Sequence, residues 1–131
     1  MFVEYFDYNE FSELDIESFL ERSQDREGQR LESQLEEIER QLEERSQLHD
    51  EIVGELESKL EWYIDRLERL YRQGRGRDSD REDLKSKIED FYREIRQERQ
   101  SAWREKQDLE KERRQLLHDL DELEESVLDF L

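Results

Sequence analysis

Apolar residues recur through the first half of the chain at Leu31, Leu35, Ile38, Leu42, Ile52, Leu56, Leu60, Tyr63, Leu67 and Leu70. With Arg45 and His49 admitted to the row, the steps alternate four and three, except for one extra four between Leu56 and Leu60. That is a heptad seam with a single stutter. Strand alternation is absent. The second half repeats the pattern through Leu84, Ile88, Phe91, Ile95, Arg99, Ala102, Lys106, Leu109, Arg113, Leu116, Leu120, Leu123, Val127 and Phe130. Its extra step of four is placed between Ile95 and Arg99. The chain contains no proline, so nothing interrupts either helix.

The segment between the seams carries turn signals. Arg69 and Arg72 sit where cations suit the negative end of a helix dipole. Gly74 follows and takes a left-handed C-cap without steric cost. Ser79 to Glu82, "SDRE", reads as a capping box for the next helix. The linker is then 74–78, a length that suits an antiparallel hairpin. If the chain folds back near 75–76, facing residue numbers sum to roughly 152. On that reflection the two stutters face each other, and Arg45 and His49 face Trp103 and Lys106. Each helix is about 47 residues and so about 70 Å long.

The same reflection leaves residues 1–20 without a facing helix. That segment holds Phe2, Tyr5, Phe6, Tyr8, Phe11, Ile16, Phe19 and Leu20 among acids. Ser12 and Asp15 suggest a second capping box, and Phe11 and Ile16 a hydrophobic staple. A short amphipathic helix is expected over about 12–20, then a polar stretch with Gly28 as a hinge. The organisation expected is therefore an aromatic, acidic arm (1–22), a first coiled-coil helix (23–73), a basic turn (74–78) and a second coiled-coil helix (79–131). The fold class is all-α, a long antiparallel helical hairpin. Trp62, Tyr71, Tyr92, Trp103 and Leu117 lie beside the seam and widen its apolar face, and Trp62, Tyr63, Phe91, Tyr92 and Trp103 are the expected bundle face. A second copy would cover that face, so a homodimeric four-helix bundle is expected.

Composition agrees with thin helices rather than a thick core. Of 131 residues only 32% are hydrophobic and 47% are charged, with a net charge of −18. Cysteine is absent, which excludes disulfides and thiolate metal sites and favours a cytoplasmic setting. No apolar run spans a bilayer, so no membrane role is expected. Arginine outnumbers lysine, which together with the acidity fits a high-salt cytoplasm; Glu-rich coiled coils have a similar balance.

No motif carries catalytic chemistry. The seams offer no concave frame for convergent groups, and no Walker-type loop is present. His49 reads as a seam residue and His118 as a rim residue, in opposite halves. No catalytic residue, cofactor or metal site is assigned. The basic seam residues Arg45, Arg99, Lys106 and Arg113 read as register-setting partners of facing glutamates.

Two surfaces remain for partners. Between Arg66 and Arg77 lie five arginines and one acid, Glu68. The tip residues Arg69, Tyr71, Arg72, Arg75, Arg77 and Arg81 could dock on an acidic protein surface or contact nucleic-acid phosphate, with Tyr71 stacking. They also serve simply as helix-end cations. The arm aromatics suit helix-in-groove docking on another protein. Within the arm, "LDIESFLER", Leu14 to Arg22, resembles the C-terminal tail peptide of the cell-division protein FtsZ over nine residues. Asp15, Ile16, Phe19, Leu20 and Arg22 match; Glu17 replaces a proline and Glu21 intervenes. The resemblance implies mimicry of that tail toward its receptors. The function expected is a non-enzymatic adaptor or scaffold acting through arm and tip. The alternatives are a nucleic-acid-related role, by tip contact or by acidic mimicry along the shaft, and a structural part of a phage or defence assembly.

Overall fold

The computed structural model describes the backbone of residues 13–74 and 78–130, and side chains over 16–74 and 78–128. Two helices make up the described residues, α1 (Glu13–Gln73) and α2 (Asp78–Phe130). They pack against each other as a hairpin, so the all-α helical hairpin is the fold. The packing divides into two compact units. One joins residues 1–39 to 111–131, and the other is 40–110.

α1 ends where the sequence places its cap. Gly74 has φ 59°, the left-handed conformation that closes a helix. α2 starts at Asp78, one residue ahead of the expected cap at Ser79. Ser79 lies inside the first turn, with Asp78 and Asp80 as the acids near the positive dipole end. Arg75 to Arg77 lie outside the described residues.

Two expectations are corrected along α1. A separate arm helix followed by a hinge is not formed: the helix runs unbroken from Glu13 through Gly28 to Gln73. One glycine costs about 1 kcal/mol in a helix, and here it is half-buried against the opposite helix. A Cβ built on Gly28 lies 3.5 Å from Leu123 Cδ2. That is ordinary van der Waals contact, so Gly28 sits in the helix interface and not at a joint. Ser12 and the aromatics Phe2, Tyr5, Phe6, Tyr8 and Phe11 lie outside the described residues.

The unit of residues 40–110 is a helical hairpin centred on Leu60 and Ile95, both buried. Tyr63 packs on Phe91 beside them, ring centres 5.3 Å apart and tilted by 42°. Every expected α1 seam residue in this unit is buried or half-buried, including Leu56 and Leu60 on either side of the stutter. On α2 the expected seam is wrong at two places. Arg99 and Lys106 are exposed, and Glu98 turns inward instead, its side chain 13% exposed. The α2 row is therefore Phe91, Ile95, Glu98, Ala102, Glu105, Leu109, which keeps the four–three alternation; Glu105 is its exposed member and belongs to it through its contact with Arg45. The extra step of four falls between Leu109 and Arg113, so the stutters do not face each other. Arg45 and His49 accordingly meet Glu98 and Glu105 rather than Trp103 and Lys106.

The unit of residues 1–39 and 111–131 packs the N-terminal part of α1 on the C-terminal part of α2. Its core is Leu31, Ile38 and Leu116, all under 10% exposed. Arg113 reaches across to Glu39, Nε to Oε1 at 3.4 Å. A shallow groove of about 330 Å³ is lined by Gln24, Gly28, Leu120, Leu123 and Val127.

Candidate functional site

A part-buried polar cluster lies in the 40–110 seam. Arg45 Nη2 meets Glu98 Oε1 at 2.7 Å, and its Nε donates to Glu105. His49 Nδ1 stands 3.2 Å from the same Glu98 oxygen. Burial penalises the charged Arg45, but its hydrogen bonds to Glu98 and Glu105 outweigh that, and its pKa lies above the ordinary arginine value. Arg45 Nη1 is buried without a hydrogen-bond partner. Such a cluster favours this register, in which Glu98, the inward-turned acid, has both Arg45 and His49 as partners. Sequence reasoning found Arg45 and His49 but missed Glu98 and Glu105. The signal was there, since Glu98 lies three residues after Ile95, where an unbroken heptad requires the next seam position.

His118 is exposed and pairs with Glu122 on its own helix at 3.0 Å. Nothing brings a third metal-ligating side chain to either histidine among the described residues.

Of the arm residues, the structure describes the side chains of Ile16, Phe19 and Leu20. All three are exposed, Phe19 most at 61%. Their spacing of three and one puts them on adjacent turns of one α1 face. The nine-residue stretch from Leu14 to Arg22 is thus held as helix. Arg22 donates back to the Ser18 carbonyl at 3.3 Å, a bond within the same turn.

The tip residues are more neutralised than the arginine count suggests. Arg69 pairs with Asp65 at 3.0 Å and Arg72 with Glu68 at 3.9 Å, each one turn back on α1. Tyr71 carries two cations from α2: Arg81 stands 4.9 Å and Lys85 5.8 Å from its ring centre. Contact with Tyr71, and with Glu82, holds Lys85 in its charged form and raises its pKa. Arg81 also reaches Asp78 at 4.0 Å.

The aromatics expected to form one bundle face are not all brought together. Tyr63 and Phe91 meet in the seam. Trp62 precedes a seam residue, while Tyr92 and Trp103 follow one. On antiparallel helices, residues preceding seam positions share one flank and residues following them share the other. Trp62 therefore faces away from Tyr92 and Trp103. It packs edge-on against Tyr63 at 4.8 Å, with Arg66 at 5.3 Å from its ring. Both tryptophans are more than half exposed.

Among the described residues no helix is long and apolar enough to cross a membrane. No curated protein and no solved structure matches the chain. A family model does match, over residues 3–130, nearly the whole length. The chain belongs to the family described as Family of unknown function (DUF8104).

Proposed function

We propose that this protein is a non-enzymatic coiled-coil adaptor that assembles other proteins and also pairs with itself. The observation that carries the reading is the exposed Ile16, Phe19 and Leu20 row on α1. Covering a Leu or Phe side chain fully is worth roughly 1.5–3 kcal/mol, and a groove that accepts such a row binds an amphipathic helix. The acidic residues around the row, Glu13, Asp15, Glu17 and Glu21, favour a groove with a basic rim. The absence of cysteine fits a cytoplasmic site of action.

At the tip, docking on an acidic protein surface is favoured over nucleic acid. Arg69 and Arg72 already have carboxylate partners, and Tyr71 already carries Arg81 and Lys85. A net charge of −18 adds a general repulsion from phosphate backbones.

The test is partner capture from the native host with the wild type and a Phe19→Ala/Leu20→Ala variant of equal helicity. Partners recovered by the wild type should be lost with the variant. Equal recovery from both would remove the arm as the contact.

A further inference from the structure

The corrected α2 seam exposes a charge arrangement on one flank of the 40–110 unit. Over 46–61 the residues following the seam positions on α1 are Ser46, Asp50, Val53, Glu57 and Glu61; over 92–106 those on α2 are Tyr92, Arg96, Arg99, Trp103 and Lys106, with Glu89 and Glu110 bounding that row. Within the two rows all but the half-buried Val53 are exposed. The α1 row carries three acids and no base, and the α2 row three bases and no acid. Arg99 Nη2 lies 3.9 Å from Glu57 Oε1, across the seam, so the two rows run side by side. Arg96 and Lys106 form no ion pair among the described residues, nor do Asp50 and Glu61. The opposite flank has no such segregation: Glu51 and Glu55 on α1 accompany Asp90 and Glu94 on α2.

We propose that this flank is the surface on which a second copy of the chain docks, about a two-fold axis parallel to the helices. This deepens the self-association reading above and rests on it. That axis lays α1 of each copy over α2 of the other at the same level. Asp50, Glu57 and Glu61 then meet Lys106, Arg99 and Arg96 of the second copy, twice over. An axis perpendicular to the helices would set acid row on acid row. For a chain of −18, this is a place where contact between copies relieves repulsion rather than adding to it. Val53 of one copy falls level with Trp103 of the other and Ile64 level with Tyr92, giving the charged rows apolar contacts among the ion pairs. The rows continue on the same flank through Ile64, Glu68 and Tyr71 on α1 and Glu89 and Lys85 on α2. Over 46–71 the strip is roughly 38 Å by 20 Å, about 760 Å² per copy, close to the ~800 Å² per partner of a standard interface.

The experiment uses the full chain and sedimentation equilibrium at micromolar concentration. Asp50→Arg/Glu61→Arg leaves Glu57 as the one acid in the two rows, and Arg96→Glu/Lys106→Glu leaves Arg99 as the one base. None of the four residues has an ion-pair partner within the described chain, so helicity should be kept, and circular dichroism checks this. The wild type should be a dimer. Each variant alone should dissociate, with Kd raised at least about tenfold, and an equimolar mixture should dimerise again. Trp103→Ala should weaken the dimer and Trp62→Ala should leave it unchanged. A dimeric wild type whose variants dimerise equally well alone would overturn this interface and leave self-association standing. A monomeric wild type would overturn both.

Discussion

Replacing Glu98 with alanine removes the carboxylate that Arg45 and His49 share inside the seam. At 2.7 Å and an effective dielectric constant near 20, the gross Arg45–Glu98 attraction is about 6 kcal/mol. Both side chains are at most 15% exposed, so bulk screening is slight, but the cost of removing them from water cancels much of that attraction. Breaking a buried pair typically costs about 3–5 kcal/mol. Arg45 keeps Glu105, half-exposed, as a second partner, so the expected loss is about 2–3 kcal/mol. The double variant Arg45→Leu/Glu98→Leu should recover most of it, because no buried charge is then stranded and two heptad positions become apolar. Urea denaturation followed by helical circular dichroism measures both, with Arg45→Leu and Glu98→Leu made singly to complete the double-mutant cycle. A Glu98→Ala loss below about 0.5 kcal/mol, or single effects that merely add in the double variant, would refute the placement of Glu98 in the seam.

Two further outcomes are expected. Gly54 is helical with nothing within 4 Å of a built Cβ, so Gly54→Ala should stabilise by about 1 kcal/mol, whereas Gly74→Ala at φ 59° should destabilise by about 1–2 kcal/mol; both are read from the same urea melts. Glu27 accepts hydrogen bonds from Arg30, which lowers its pKa below the ordinary 4.5. A lowered folded-state value means that the pair's contribution is present above the unfolded pKa and fades as pH falls through the folded one. Carboxyl NMR titration should therefore place Glu27 below its ordinary midpoint, and Arg30→Gln should move it back up.

The legible and illegible parts of the chain differ in how they are encoded. The α1 seam could be read from the sequence because ten of its twelve positions are apolar, and apolar side chains need only a period to declare themselves. The α2 seam between Ile95 and Leu109 has Ala102 as its single apolar member. There the choice between Glu98 and Arg99 depends on what stands opposite, and Arg45 opposite selects the acid. Gly28 was misread because a glycine's local cost says nothing about the helix packed on it. Among the site residues, Phe19 and Leu20 are exposed, as a fold-back near 75–76 expects for positions that no residue of α2 faces. The separation of Trp62 from Tyr92 and Trp103 depended on the exact seam register.

By itself the sequence determined two long helices, a glycine-capped reversal at Gly74 and an apolar row along α1, because period, propensity and capping are local properties. Tertiary structure decided the register of α2, the inward turn of Glu98 and the pairing of an acidic row with a basic one on a single flank. Those depend on charges brought close by the reversal, and a Coulomb interaction is set by distance in space, not by separation along the chain.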